Sequence, residues 1–165
     1  MTVADLNAYD CRAFVDAVGW VFEHSPWVAE RAWKHRPFRS RDDLHKVMTD
    51  EVGHATRDEQ VALLRAHPDL GTRARMTDSS TAEQAGAGLD RMTPHDFERL
   101  QTLNTAYRER FGFPFLFAVK GSTAQHILAA LESRLCSTAD DEFAEALRQV
   151  SRIARFRLED AVAER

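Results

Sequence analysis

The sequence predicts an all-α fold, one compact domain of about seven to nine helices with a single extended segment buried in it, on three observations. Apolar residues recur at three- and four-residue steps through most of the chain, as in Cys11, Phe14, Val15, Val18, Val21 and Phe22. Helix start and stop signals recur at short intervals, with Ser or Thr ahead of Pro or of an acid three residues on, and Gly or Pro at the ends. The one long apolar run without that period, Phe113 to Val119, contains Pro114 and has no second run to pair with as a strand. A chain of 165 residues with 44% hydrophobic content is long enough for one core and short for two.

The first core helix is expected from Asp10 to Glu23. Ser25 then caps a second, with Pro26 at its first position and Trp27 and Trp33 turned inward, until Arg36-Pro37-Phe38 breaks it. Ser40 with Asp43 opens a third, carrying Leu44, Val47 and Met48 to about Gly53. Thr56 and Glu59 have capping-box spacing for a fourth, whose apolar face is Val61 and Leu64. Pro68 ends it, because a proline disfavours the helical conformation at the residue before it. Gly71 to Thr77 shows no period and reads as a loop. Ser80 and Glu83 again stand in capping-box spacing, at the start of a short helix weakened by Gly86 and Gly88.

Thr93-Pro94 opens a long helix with Phe97, Leu100, Leu103, Tyr107 and Phe111 on one face, closed by Gly112. After the apolar segment, Ser122 starts a helix with Ile127, Leu128, Leu131 and Leu135 inside, and Thr138 with Asp141 starts the last. On that last helix Phe143, Leu147, Val150, Ala154, Arg157 and Ala161 form one stripe, so Arg157 points where apolar residues point.

Composition removes several classes of function. A net charge of -4 and a pI near 6.0, with arginines dispersed among acids, leave no basic footprint for nucleic acid. No apolar run approaches a membrane span, and Met1-Thr2-Val3-Ala4-Asp5 lacks the blocks of a signal peptide, so a cytoplasmic protein without a membrane partner is expected. The terminus Ala163-Glu164-Arg165 carries no peroxisomal tripeptide. Cys11 and Cys136, without ligand-like spacing, read as reduced core thiols. The 7 histidines include no pair three or four apart on one helix face, so no metal is expected. Without a Gly-rich phosphate loop after a strand, an H-E-x-x-H or a nucleophile elbow, nucleotide and cofactor chemistry lose support.

What remains is an imidazole, a Ser/Glu pair and an inward arginine. His67 stands where a helix stops. The dipole there favours its protonated form and burial the neutral one, which leaves its charge adjustable near neutrality as a general acid or base requires. The same position suits a histidine that only caps exposed carbonyls. A buried Arg157 needs an anion or several acceptors, because an unpaired buried charge costs several kcal/mol. Glu83, Asp69 or a bound anionic ligand could serve, and the other reading is a structural ion pair or a side chain reaching solvent. The backbone of Phe113 to Val119 must find partners other than a strand, a ligand among them. Together these residues describe a cofactor-free acid/base site for a small anionic substrate. A non-enzymatic helical interaction module is one rival, and a hydrolase or isomerase acting through the same three groups is the other.

A resemblance sharpens this. His67-Pro68-Asp69-Leu70-Gly71, Ser80-x-x-Glu83-Gln84 followed by Ala87-Gly88-Leu89, Leu103-Asn104-x-x-Tyr107, and Phe111-Gly112-Phe113-Pro114-Phe115 through Lys120-Gly121 resemble the decarboxylases of 2-oxo-4-hydroxy-4-carboxy-5-ureidoimidazoline (OHCU). Ser25-Pro26-Trp27 and Arg36-Pro37-Phe38 with Ser40 fit as well, so the likeness runs in order from about residue 7 to 162. It implies an all-helical homodimer and a cofactor-independent decarboxylation that gives (S)-allantoin, the last enzymatic step from urate. The resemblance puts the catalytic histidine on His67 and substrate contacts on Ser80 and Glu83, with Gln84 in the same motif, and the arginine on Arg157. Pro68 would contribute its carbonyl, and backbone contacts from the apolar segment would fall near Phe117. The missing peroxisomal tripeptide implies the bacterial-type cytosolic form.

Overall fold

The computed structural model describes residues 1–71 and 78–164, and among these it is all-α, with nine helices and no strand. They are α1 (Val3–Ala8), α2 (Cys11–Val18), α3 (Trp27–Trp33), α4 (Arg41–His54), α5 (Arg57–Arg65), α6 (Asp78–Gly86), α7 (Pro94–Phe111), α8 (Ala124–Arg134) and α9 (Ala139–Ala161), with 3-10 turns at Gly19–Val21 and Leu89–Arg91. The loop expected from Gly71 to Thr77 lies, past Gly71, outside the described residues.

Two compact units make up the chain: Met1–Ala66 with Val150–Arg165, and His67–Gln149. In the first, α3 packs against α4 and α2. Leu6, Phe14, Val18, Val28, Ala32, Leu44, Met48, Leu63 and Leu64 of this unit are fully buried, as are Ala154 and Leu158 of α9. In the second, α7 packs against α8, and the apolar segment builds an aromatic cluster around Tyr107. Its ring lies 4.7 Å from Phe111, 6.0 Å from Phe113 and 5.4 Å from Phe115, and Phe113 meets Phe143 edge-on at 6.1 Å. Such pairs contribute about 0.5–1.5 kcal/mol each beyond the area they bury.

The caps at Ser40, Thr56, Thr93 and Thr138 are as expected, each side chain accepting from the backbone N–H three residues on. Gly112 closes α7 in the left-handed conformation at φ 79°. Other expectations are corrected. A helix precedes the first expected one: Thr2 and Asp5 cap α1 reciprocally. α2 tightens into a 3-10 turn after Val18 instead of running to Glu23.

α3 starts at Trp27 with Pro26 as its cap, and the Ser25 hydroxyl donates to the Glu23 carbonyl instead. Val28, Ala29 and Ala32 form its buried face, while Trp27 and Trp33 are half-buried and not turned inward, each under a guanidinium, Arg31 at 4.5 Å and Arg36 at 4.0 Å. On α5, Leu63 shares the buried face with Leu64 while Val61 stays half-exposed. On α7, Phe97 is exposed and Asn104 takes a core position. Thr123, not Ser122, caps α8. The cysteines are free, but neither is core: Cys11 is half-buried, and Cys136 is exposed in the turn after α8.

Candidate active site

His67 opens the second unit, two residues after α5 ends at Arg65, and is 6% exposed. The turn that carries it, His67-Pro68-Asp69-Leu70-Gly71, is tied down from two helices of its own unit. From α7, Asn104 donates through Nδ2 to the Leu70 carbonyl at 2.9 Å, and Arg108 pairs with Asp69 at 2.9 Å. From α6, Gln84 Oε1 accepts the Gly71 N–H at 2.8 Å. Gly71 sits at φ 78°, and a Cβ there would come within 2.7 Å of Leu100 Cδ2. The position therefore demands glycine twice, for its backbone and for the close approach of α7. The exposed Arg108 pair is worth ~0–1 kcal/mol, whereas losing the buried Asn104 anchor would leave the Leu70 carbonyl short of a donor, at about 1–3 kcal/mol.

Ser80 and Glu83 lie inside α6 and not at its cap, because the helix begins at Asp78. Ser80 and Gln84, a helical turn apart, are buried at 5% and 6% exposure, while Glu83 is half-buried. Phe117 is the half-buried member of an otherwise buried segment, its ring stacked on Phe115 at 5.9 Å. His67, Pro68, Ser80, Glu83, Gln84 and Phe117 thus all belong to the second unit.

Arg157 belongs to the first and is buried, at 3% exposure, as its place in the stripe requires. Its Nη1 donates to Glu23 Oε2 at 2.7 Å and lies 3.4 Å from the Val21 carbonyl. The sequence offers Glu83, Asp69 or a bound anionic ligand as its partner. Asp69 instead pairs with Arg108, and Glu23, itself 1% exposed, supplies the charge. His24, next in sequence, holds a strained left-handed backbone at φ 46°.

Beside the His67 turn, a cavity of about 1050 Å³ opens between α6, the Leu89–Arg91 turn and the start of α7. Gly71, Gln84, Leu89, Phe97 and Gln101 line it, while His67, Ser80 and Glu83 are not among the described residues that do. No group of three or more His, Cys, Asp or Glu able to hold a metal occurs among the described residues. None of the described helices is long and apolar enough to cross a membrane.

Asn104, Glu23, Arg134, Glu142 and Gln149 are buried or largely buried polar residues that sequence reasoning passed over as functional. Asn104 stood within a recognised motif. The other four carry no local signal.

The sequence profile of OHCU decarboxylase matches residues 7–159. The chain belongs to the OHCU decarboxylase family. Among OHCU decarboxylases it is 50% identical to that of Halalkalicoccus jeotgali over 100% of this chain and 94% of that protein, and 51% identical to that of Haloferax volcanii over 96% and 94%. The uric acid degradation bifunctional protein PucL of Bacillus subtilis is 47% identical across 99% of this chain, which spans 33% of that protein. The crystal structure of an (S)-allantoin synthase superposes with a TM-score of 0.82 at 33% identity, covering 99% of this chain and 54% of that one.

Proposed function

We infer that this protein decarboxylates OHCU to (S)-allantoin in urate degradation. The observation that carries the reading is the buried His67 on a turn anchored by Asn104 and Gln84, in a chain half identical over its full length to named OHCU decarboxylases. In the reaction the bond from the hydroxyl-bearing carbon to the carboxylate breaks and carbon dioxide leaves. The electron pair moves into the adjacent C=N group, whose nitrogen takes up a proton to leave an enol. The enol hydroxyl then gives up its proton to become a carbonyl as one proton is added to the ureido-bearing carbon. A protein need only orient the carboxylate, stabilise the developing charge and deliver that proton to one face, so the reaction asks for no metal or cofactor.

His67 transfers the proton, and the Pro68 carbonyl and the backbone at Phe117 orient the ring. Ser80, Glu83 and Gln84 hold the ureido N–H groups. Arg157, aimed by Glu23, receives the anionic or carbonyl oxygens. Support for these roles comes from the motifs that carry His67, Pro68, Ser80, Glu83 and Gln84 and from the burial of His67, Ser80, Gln84 and Arg157. The whole chain is proposed to act as one functional domain, as a cytoplasmic homodimer.

The test is His67→Asn, which keeps size and some hydrogen bonding but cannot titrate near neutrality. With freshly generated OHCU, the variant stays folded and loses (S)-selective allantoin formation by roughly 100- to 10,000-fold. Circular dichroism is the readout, since spontaneous decay yields racemic product. Glu83→Gln weakens substrate binding as well as turnover. Light scattering reports the dimer. Wild-type rate and stereochemistry in His67→Asn would leave the imidazole a helix cap and sink the mechanism.

A further inference from the structure

Side chains hold the backbone of the apolar segment where a sheet otherwise would, and they do so on either side of one residue. Before Phe117, the Leu116 carbonyl accepts from Arg134 Nη1 at 2.5 Å; after it, the Ala118 N–H donates to Gln149 Oε1 at 2.9 Å. Both holders are themselves held. Arg134 Nε donates to Glu142 Oε1 at 2.6 Å, and the guanidinium stacks 4.5 Å over the Phe115 ring. The same Glu142 oxygen accepts from the Tyr107 hydroxyl at 2.5 Å, and Glu142 is 1% exposed.

Gln149 is oriented by chemistry. Its Nε2 donates to Glu145 at 2.7 Å, and because a carboxylate only accepts, the amide nitrogen must face Glu145 and the oxygen must face Ala118. Burying a guanidinium, a carboxylate and a phenol together costs desolvation, and apolar residues of similar shape often stabilise a core as well. What apolar residues cannot do is fix the direction of the two peptide groups that flank Phe117, the half-buried residue of the segment.

We propose that Arg134 and Gln149, backed by Glu142, Tyr107 and Glu145, are positioning residues that set the peptide groups flanking Phe117 against the substrate. The inference rests on the proposed reading of the site, in which Phe117 supplies a backbone contact.

Gln149→Met keeps volume and removes the acceptor. Arg134→Lys keeps the charge toward Glu142 and withdraws the fork that reaches Leu116. Both are assayed for kcat and KM on freshly generated OHCU, and for enantiomeric excess at enzyme levels that outrun spontaneous decay. Amide exchange at Ala118 is followed alongside. The positioning role gives faster Ala118 exchange in Gln149→Met, a fall in kcat/KM of roughly 10- to 100-fold, and reduced (S)-excess. Arg134→Lys retains more activity than Arg134→Met.

A merely structural role lowers the melting temperature and leaves kcat, KM and (S)-excess of the folded fraction unchanged, and that result overturns the proposal. If Gln149→Met does not fold, Tyr107→Phe carries the same test through Glu142 and Arg134. Racemic product from the wild-type protein overturns the reading of the site and this inference with it. Wild-type (S)-selectivity with unaltered variants overturns the inference alone.

Discussion

Gly71→Ala probes the turn that presents His67, and its effect can be built from two separable costs. The first is backbone: at φ 78° an alanine sits in the left-handed region, which costs about 1–2 kcal/mol. The second is contact: the new Cβ falls 2.7 Å from Leu100 Cδ2, and Leu100 is fully buried in α7, so it cannot swing out to solvent. Overpacking of that kind costs roughly 1–3 kcal/mol. Gly88→Ala supplies the control, since Gly88 has φ 77° but nothing within 4 Å of the added carbon. It carries the backbone cost alone.

Urea denaturation of both variants isolates the contact as their difference. Gly71→Ala is the less stable by about 1–3 kcal/mol, with a melting temperature lower than that of Gly88→Ala by roughly 2–12 °C. Gly71→Ala also loses (S)-allantoin formation beyond its loss of folded protein, because the N–H that Gln84 accepts moves with the turn. Leu100→Val in the Gly71→Ala background recovers part of the difference by removing the contacted methyl's reach. Equal stability of Gly71→Ala and Gly88→Ala would refute the close approach as a constraint.

Three further outcomes are expected. Tyr107→Phe removes a buried donor to a carboxylate and costs about 1.5–3 kcal/mol in urea unfolding. Burial, and then the bond to Glu142, push that hydroxyl well above a phenol's usual range, so its contribution does not change with pH from 6 to 9. Glu23→Leu leaves the buried Arg157 charge without its carboxylate and costs about 3–5 kcal/mol; a loss below 1 kcal/mol measured the same way would contradict the pairing. The Glu59 carboxyl is lowered from 4.5 to about 2 by the Arg31 side chain and the Thr56 N–H. A depressed folded-state value means that its stabilisation is present above 4.5 and is lost as pH falls toward 2. Melting temperatures of wild type and Glu59→Gln therefore differ at pH 6 and draw together as pH falls through about 2; a gap that does not narrow in acid counts against the pairing.

The local elements of this chain were legible because their causes are local. Ser40, Thr56, Thr93 and Thr138 each cap a helix through a backbone N–H three residues away, and Gly112 ends α7 through its own φ, so no distant partner is consulted. The burial of Arg157 was legible for the same reason, since a helical stripe is a property of spacing. Where a register hung on packing, the sequence misled. Ser25-Pro26 has the residues of a cap, yet the Ser25 hydroxyl goes to the Glu23 carbonyl, and the helix starts a residue late with its tryptophans on the flank.

Partner identity belongs wholly to tertiary structure. Glu23 meets Arg157 across 134 residues of sequence, Asn104 reaches Leu70 across 34, and Gln149 reaches Ala118 across 31. Nothing in the spacing of an arginine names its carboxylate, because a buried charge requires only that some acceptor be brought to it. The sequence therefore determined that the chain is helical, that His67 ends a helix and that Arg157 faces inward. Tertiary structure decided which groups satisfy them, since those bonds form only where the folded chain returns to itself and excludes the water that would otherwise compete.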